Sequence, residues 1–344
     1  MKTFFNQKPL HLFALLGFTS ILSQVLLMRE LVVVFYGNEL SLGIMLGNWL
    51  LWTGTGSFLG AFLFPRRPVF SRPSSIILLQ ALLGVLALAT FLGVRILPGL
   101  LQRDTVGEII GYVPIFVSSF VILGPLCLLL GFLFTLFCHT WSRQEAAFSI
   151  TLVYVLEGIG AAVGGALFAL LLIHLFVPAE IAFLLFVVNI GAALFTSLTG
   201  RGYKKASVLT GCFFFACATI ILSGLAKKID EQSVKWGWGD LDVVTSEYSV
   251  YGNVLYVEDE EQKSIYENGL LMFSYPDRFS AEEAIHFALL EHPHPKKVLL
   301  IGGGAGGSLA EVLKHPVEHV DYLELDPLVI KMVRDHFPQE VVQT

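Results

Sequence analysis

Up to about residue 226 the chain consists of long apolar runs separated by short polar joints; beyond it the runs shorten, and acidic, basic and His residues become frequent. A run of about 20 apolar residues crosses a bilayer as a helix, because a helix satisfies its own backbone polar groups in lipid. The pattern predicts about seven such spans, at roughly 10–36, 40–64, 75–97, 113–138, 147–175, 181–198 and 206–225. Lys2 and Lys8 precede the first as they would in a signal peptide. That run is too long, however, and no small-residue cleavage site follows it, so a retained first helix is expected. Gly43-x-x-x-Gly47, Gly56-x-x-x-Gly60 and Gly160-x-x-x-Gly164 set glycines on single helical faces where backbones can approach, which predicts a compact bundle.

Residues 227–240 read as a joint, in which Lys227 and Lys228 can reach lipid headgroups and Trp236 and Trp238 suit a membrane surface. The period then changes to two. Residues 251–258 and 263–273 alternate apolar and polar, with Asn268–Gly269 as a turn signal, and predict a small β-hairpin layer over 241–280. A helix is expected at 281–291, ended by His292-Pro293-His294-Pro295, a surface loop without further ligands spaced for a metal.

Residues 297–301 form a continuous apolar run, as in a strand buried on both faces. The run leads directly into Gly302-Gly303-Gly304-Ala305-Gly306-Gly307 and a helical pattern ending near His315. A second strand, 320–325, brings Glu324 and then Asp326 about 20 residues beyond the first glycine, where an acidic side chain meets ribose hydroxyls. Pro327 opens a further helix. Strand, glycines, helix, strand and acid in this order predict the first part of a Rossmann-like α/β nucleotide fold over 281–344. Gly302, Gly303, Gly304 and Gly306 would face the ligand at the turn. The spacing leaves open whether the nucleoside belongs to NAD or to S-adenosylmethionine.

Composition narrows the class. Of 344 residues 55% are hydrophobic and 15% charged, against about 25% charged in a soluble domain, so an ordinary soluble enzyme is excluded for most of the length. A net charge of −6 without a basic stripe gives no nucleic-acid partner. Cys127, Cys138, Cys212 and Cys217 lie in apolar runs without zinc-like spacing and read as small core residues, with no metal site. The basic joints, Arg66, Arg67 and Arg72, then Arg201, Lys204 and Lys205, would face the cytoplasm together with the N-terminus by the positive-inside rule. Seven spans would then leave the C-terminal domain outside, whereas a soluble nucleoside places that domain in the cytoplasm. Charges inside the spans are few, and such charges mark function by default. Arg29 and Glu30 read as interfacial or paired, and Arg95 lies near a span end. Glu157, mid-span beside Gly158 and Gly160, could line a polar cavity or accept hydrogen bonds from a neighbouring helix.

Residues 249–338 resemble the polyamine aminopropyltransferases (spermidine synthases), in their bacterial membrane-embedded branch with an N-terminal helical bundle. The resemblance is carried by Ser249-Val250-Tyr251, Glu267-Asn268-Gly269, Phe273-Ser274, Asp277, Glu283, His292-Pro293, the run 298–307 and Glu324-Leu325-Asp326. Residues 24–30 and 37–40 look like the opening of the membrane-bound members. The resemblance implies a multi-pass α-helical membrane bundle, then the hairpin layer and the partial Rossmann-like fold, in the cell membrane with the C-terminal domain cytoplasmic. It implies transfer of an aminopropyl group from decarboxylated S-adenosylmethionine, a co-substrate and not a prosthetic group, to an amine such as putrescine. The Gly302–Gly307 turn would face the nucleoside and sulfonium, Glu324 the ribose with Asp326 beside it, and Tyr251, Asp277 and Glu283 the amine. The family's catalytic Asp matches nothing before Thr344. The chain is therefore expected to be either a truncated gene product or half of a split enzyme, unable to transfer an aminopropyl group alone; the expected partners are the lipid bilayer, a polyamine, and a homo-oligomer or a separately encoded C-terminal half. Gly252 stands where the family has Gln, Asp277-Arg278 where it has Asp-Glu, Ala281-Glu282 where it has Tyr-His or Tyr-Gln, and Ala305 where it has Asp. These departures around the amine leave two further readings: another S-adenosylmethionine-dependent transferase, or a transporter-like bundle with a nucleoside-sensing domain.

Overall fold

The structure, a computed structural model, describes residues 10–36, 39–101, 110–142, 146–199, 204–238, 241–259 and 262–338. Lys2, Lys8, Gly37, Asn38 and Arg201 lie outside the described residues. The chain divides into a helical unit ending at Gly237 and a sheet-bearing unit beginning at Trp238.

The helical unit comprises α1 (Leu10–Val34), α2 (Glu39–Leu63), α3 (Pro73–Leu100), α4 (Tyr112–Ser142) and α5 (Ala146–Leu167), which continues through a π-helical turn (Phe168–Leu172) into Ile173–Leu175. Then come α6 (Pro178–Thr199), α7 (Lys204–Leu222) and α8 (Leu225–Trp236). Among the described residues five helices are long and apolar enough to cross a bilayer, or six if α7 and α8, bent by 77°, count as one span. The 25-residue α2 is not among them. It carries Asn48, Trp52 and Ser57, and these polar groups bind α4. Asn48 Nδ2 donates to Ser119 Oγ at 2.9 Å, Trp52 Nε1 to the Phe120 carbonyl at 2.8 Å and Ser57 Oγ to the Gly131 carbonyl at 3.1 Å.

Backbones meet at glycines in two places. A Cβ on Gly17 of α1 would lie 1.9 Å from the Glu157 carbonyl oxygen, and one on Gly160 1.8 Å from that of Ala14. Between α2 and α4, Gly56 and Gly131 would each meet a carbonyl oxygen at 2.0 Å. Gly43 and Gly47 behave differently, with nothing within 4 Å. The face that α2 turns inward carries Met45, Asn48 and Trp49, all buried, so the first of the three expected glycine pairs points away from the packing. Glu157 itself is half-buried.

Buried polar groups tie the remaining helices together. Asn189 of α6 accepts from Gln80 Nε2 at 2.6 Å and from Thr19 Oγ1 at 3.2 Å, joining α3 and α1. Arg95 of α3 lies 2.8 Å from Glu30 and 3.2 Å from Asp230, and Asp230 also accepts from the Ala179 backbone N–H at 3.0 Å. The segment expected as a joint is thus largely the helix α8, pinned to the bundle through Asp230. Trp236 is exposed, whereas Trp238 is buried with its ring edge-on to Tyr266, 4.7 Å between centroids.

The sheet-bearing unit opens with an antiparallel meander in the order β1 (Asp242–Tyr248), β2 (Asn253–Asp259), β3 (Gln262–Glu267), β4 (Leu270–Tyr275). The alternating run 263–273 is two strands joined at the expected turn signal. It folds back at Asn268–Gly269, whose φ values of 49° and 82° are both positive, as a two-residue hairpin turn matched to strand twist requires. After α9 (Arg278–Glu291) come β5 (Lys297–Ile301), a 3-10 turn (Gly304–Gly306), α10 (Ser308–Val312), β6 (His319–Leu323) and α11 (Pro327–His336). β5 and β6 pair in parallel, from Lys297 opposite His319 to Ile301 opposite Leu323. Val329, Met332 and Val333 of α11 pack against Val254, Tyr256 and Ile265 of the meander. The expectation of a strand buried on both faces fails here: Leu299, Ile301 and Leu323 are 58%, 75% and 57% exposed, because among the described residues nothing covers that face of the pair.

Gly131→Val drives a side chain into the Thr53 carbonyl and should destabilise the bundle by about 3 kcal/mol or more, whereas Gly47→Val meets open space. Thermal unfolding in detergent should show a large fall in Tm for the first and little change for the second.

Candidate functional site

The site grows from the turn after β5. Gly302 and Gly303 both take φ of 70°, a conformation that side-chain-bearing residues rarely adopt. At Gly304 the constraint is space, since an added Cβ would stand 2.5 Å from the Tyr322 ring; at Gly306 it would stand 2.8 Å from Phe273. Tyr322 of β6 therefore lies directly on the turn. Its hydroxyl accepts from the Ala305 N–H at 3.4 Å and donates to Glu324 Oε2 at 2.7 Å, while Glu324 Oε1 accepts from the Leu325 N–H at 2.9 Å. Burial, with the hydrogen bond and charge of Glu324, pushes the Tyr322 phenol up to about 12, so Tyr322 keeps its proton and holds Glu324 at the strand end.

Asp326 is buried with both oxygens engaged. One caps α11 by accepting from the Leu328 N–H at 2.9 Å, and the other accepts from the Ser249 hydroxyl. Ser249 in turn accepts from the Tyr251 and Gly252 N–H groups, at 3.0 and 3.2 Å, so Asp326 fastens the β1–β2 connection to the end of β6. Glu267, at the end of β3, is half-buried, and burial together with the charges of Asp326 and Glu324 holds its pKa above the usual carboxylate range. Three carboxylates thus face one region, which favours a cationic ligand.

Beside the turn lies a cavity of about 290 Å³, lined among others by Phe273, Tyr275, Tyr322, Phe337, Asp277, Glu311 and Arg334. Asp277 is the N-cap of α9, accepting from Ser280 N–H at 3.2 Å and Oγ–H at 2.7 Å; these bonds lower its pKa. Of the residues expected from sequence, Gly304, Gly306 and Asp277 line this cavity. Glu324 adjoins it through Tyr322, and Gly302 and Gly303 form the turn beside it. Tyr251 and Glu283 are exposed and do not line it. Tyr322 and Glu311 were not expected. Tyr322 is the residue of the 320–325 run whose ring would reach the turn, a signal visible only once β6 is known to pair with β5.

Comparison with known proteins places residues 278–343 in a match to the spermine/spermidine synthase domain. The chain is similar to polyamine aminopropyltransferase 1 of Streptomyces coelicolor, 31% identical over 57% of this chain and 38% of the relative. It is similar to the polyamine aminopropyltransferase of Korarchaeum cryptofilum, 41% identical over 28% of this chain and 32% of the relative. A crystal structure of spermidine synthase from Thermotoga maritima is 38% identical over 28% of this chain and 35% of that chain, with a TM-score of 0.27. The chain spans well under half the length of the curated relatives it matches. The sheet-bearing unit is under a third of the chain, so the Streptomyces match extends into the helical unit.

Because the folded chain holds a proton on Glu267 more tightly than an exposed carboxylate would, folding is favoured as the pH falls toward that raised pKa and disfavoured above it. Glu267→Gln removes the disfavoured charge. Thermal unfolding should show a higher Tm for the variant at about pH 8, with the difference shrinking as the pH is lowered toward about 5.

Proposed function

We propose that this chain is the membrane-embedded, donor-binding part of a polyamine aminopropyltransferase, spermidine synthase-like, with decarboxylated S-adenosylmethionine as co-substrate. The observation that carries the reading is Glu324, held by Tyr322 beside the glycine turn inside the matched segment 278–343. The adenosyl group lies along Gly302 and Gly303 with its ribose on Glu324, and the sulfonium meets the field of Glu267, Glu324 and Asp326. The acceptor, an alkylammonium such as putrescine, occupies the neighbouring cavity, where aromatic rings take its methylenes and Asp277 and Glu311 its charge. Once deprotonated, the amine nitrogen attacks the carbon next to sulfur. The C–N bond forms as the C–S bond breaks, and the electron pair returns to sulfur to give neutral methylthioadenosine. The protein's part is to hold nitrogen, carbon and sulfur in line.

The uncovered face of Leu299, Ile301 and Leu323 supports a further proposal, that an additional α/β segment, in the same or a separate chain, packs there and supplies the base. We also propose that the apolar helices cross the cell membrane as a multi-pass bundle with the sheet-bearing unit in the cytoplasm. If all seven of α1 to α7 cross, Leu10 and Trp238 leave at opposite faces, so a cytoplasmic Trp238 puts Leu10 outside. Alkaline phosphatase fused after Gly237 should then be inactive and a fluorescent protein fused there bright; the reverse pattern would place this unit outside the cell.

A second reading, a transferase using carboxylated S-adenosylmethionine, is favoured by Arg334, whose guanidinium on the cavity wall suits a carboxylate. Equilibrium dialysis of the purified full chain with the two labelled donors separates the readings. Preference for the decarboxylated form is expected, and Glu324→Gln should weaken it by about tenfold or more. Preference for the carboxylated form would transfer the assignment to the second reading, and uptake of neither would overturn both.

A further inference from the structure

His286 and His315 have no part in the transfer chemistry, yet they stand one behind the other on a carboxylate of the cavity wall. His286 of α9 places Nε2 3.1 Å from Glu311 Oε2, and its Nδ1 lies 2.8 Å from His315 Nε2. Glu311 of α10 is 5% exposed and lines the cavity. The other charged groups around the pair are Lys314, 2.6 Å from Glu311 Oε1, and Glu282 and Glu283, one turn earlier on α9; Asp277 and Arg334 stand elsewhere on the cavity wall. Two imidazoles in nitrogen-to-nitrogen contact need one N–H and one lone pair between them. The pair therefore takes up at most one proton without breaking apart. When neutral, it can hold a proton on His286 Nε2, at ion-pair distance from Glu311 Oε2, while His286 Nδ1 accepts from His315. The added proton makes His286 and His315 together a cation against Glu311.

We propose that the His286–His315 pair is a proton-operated gate on the amine cavity, with His286 as a positioning residue for Glu311; this rests on the amine reading of that cavity. With the imidazole pair neutral, Lys314, in contact with both Glu311 oxygens, is the cation beside that carboxylate, and an alkylammonium in the cavity joins it. Below the imidazole range, the shared proton adds a further cation behind Glu311 and the ligand is released. An aliphatic diamine stays doubly charged throughout, since amines of the lysine type titrate near pH 10, so the change belongs to the protein.

Putrescine binding to the purified full chain tests this by dialysis between about pH 8 and about pH 5.5. Affinity should fall roughly tenfold for the unmodified chain. His286→Gln should bind at the high-pH level with less than about twofold change across the range. By reciprocity, saturating putrescine should lower the apparent pKa of the coupled imidazoles by the same factor, read from the His286 and His315 ring-nitrogen NMR signals of the unmodified chain, whether or not the variant folds. Binding without a pH step, or a step that survives in a folded His286→Gln, overturns the gate and leaves the amine cavity standing. Failure to bind putrescine at any pH, while an adenosyl donor still binds, overturns the amine cavity and the gate with it.

Discussion

Tyr322 rests against Gly304 so closely that an added Cβ would stand 2.5 Å from its ring, and most of the candidate site follows from that contact. It brings the phenol within reach of both the Ala305 N–H and Glu324, which fixes the carboxylate at the end of β6. Tyr322 also lines the cavity together with Phe273 and Phe337. A single methyl group at Gly304 would displace the ring, and with it the carboxylate.

The helical unit faces a different problem, because apolar helices gain little from packing on one another once the surroundings are apolar. It uses two devices. Gly17 and Gly160, and separately Gly56 and Gly131, let backbones touch, so dispersion acts over short distances. Elsewhere buried polar groups, Asn189 and the Glu30–Arg95–Asp230 set, bind helices distant in sequence. Two carboxylates share one guanidinium there, and removing Arg95 would take a buried counter-charge from both. Asp230 is thus what makes α8 part of the bundle.

The long helices were legible because their signal is local: an uninterrupted apolar run needs no partner to be recognised. α8 was not, since what holds it is an ion pair between Arg95 and Asp230, 135 positions apart. The turn at Asn268–Gly269 was legible within the alternating run 263–273 because an Asn-Gly pair with positive φ is a local signal, and the chain folds back there between β3 and β4. In the site, the glycine turn, Glu324 and the Asp326-Pro327 helix start could be read from order and spacing. Tyr322, Glu311 and Glu267 could not, because their placement depends on the parallel register of β5 and β6, on a helix of five residues and on the end of a hairpin.

The carboxylates give the site a direction as well as a location. Glu267, Glu324 and Asp326 act on one another, and Asp277 and Glu311 line the cavity, with Arg334 also on its wall. In the reaction proposed above, a sulfonium and an ammonium arrive as cations, and one product, the thioether nucleoside, leaves neutral. A field that concentrates both substrates therefore has no hold on the spent donor, and each turnover discharges the donor side of the site. The cost of that field is visible in Glu267, whose affinity for a proton is raised by burial and further by the charges of Asp326 and Glu324.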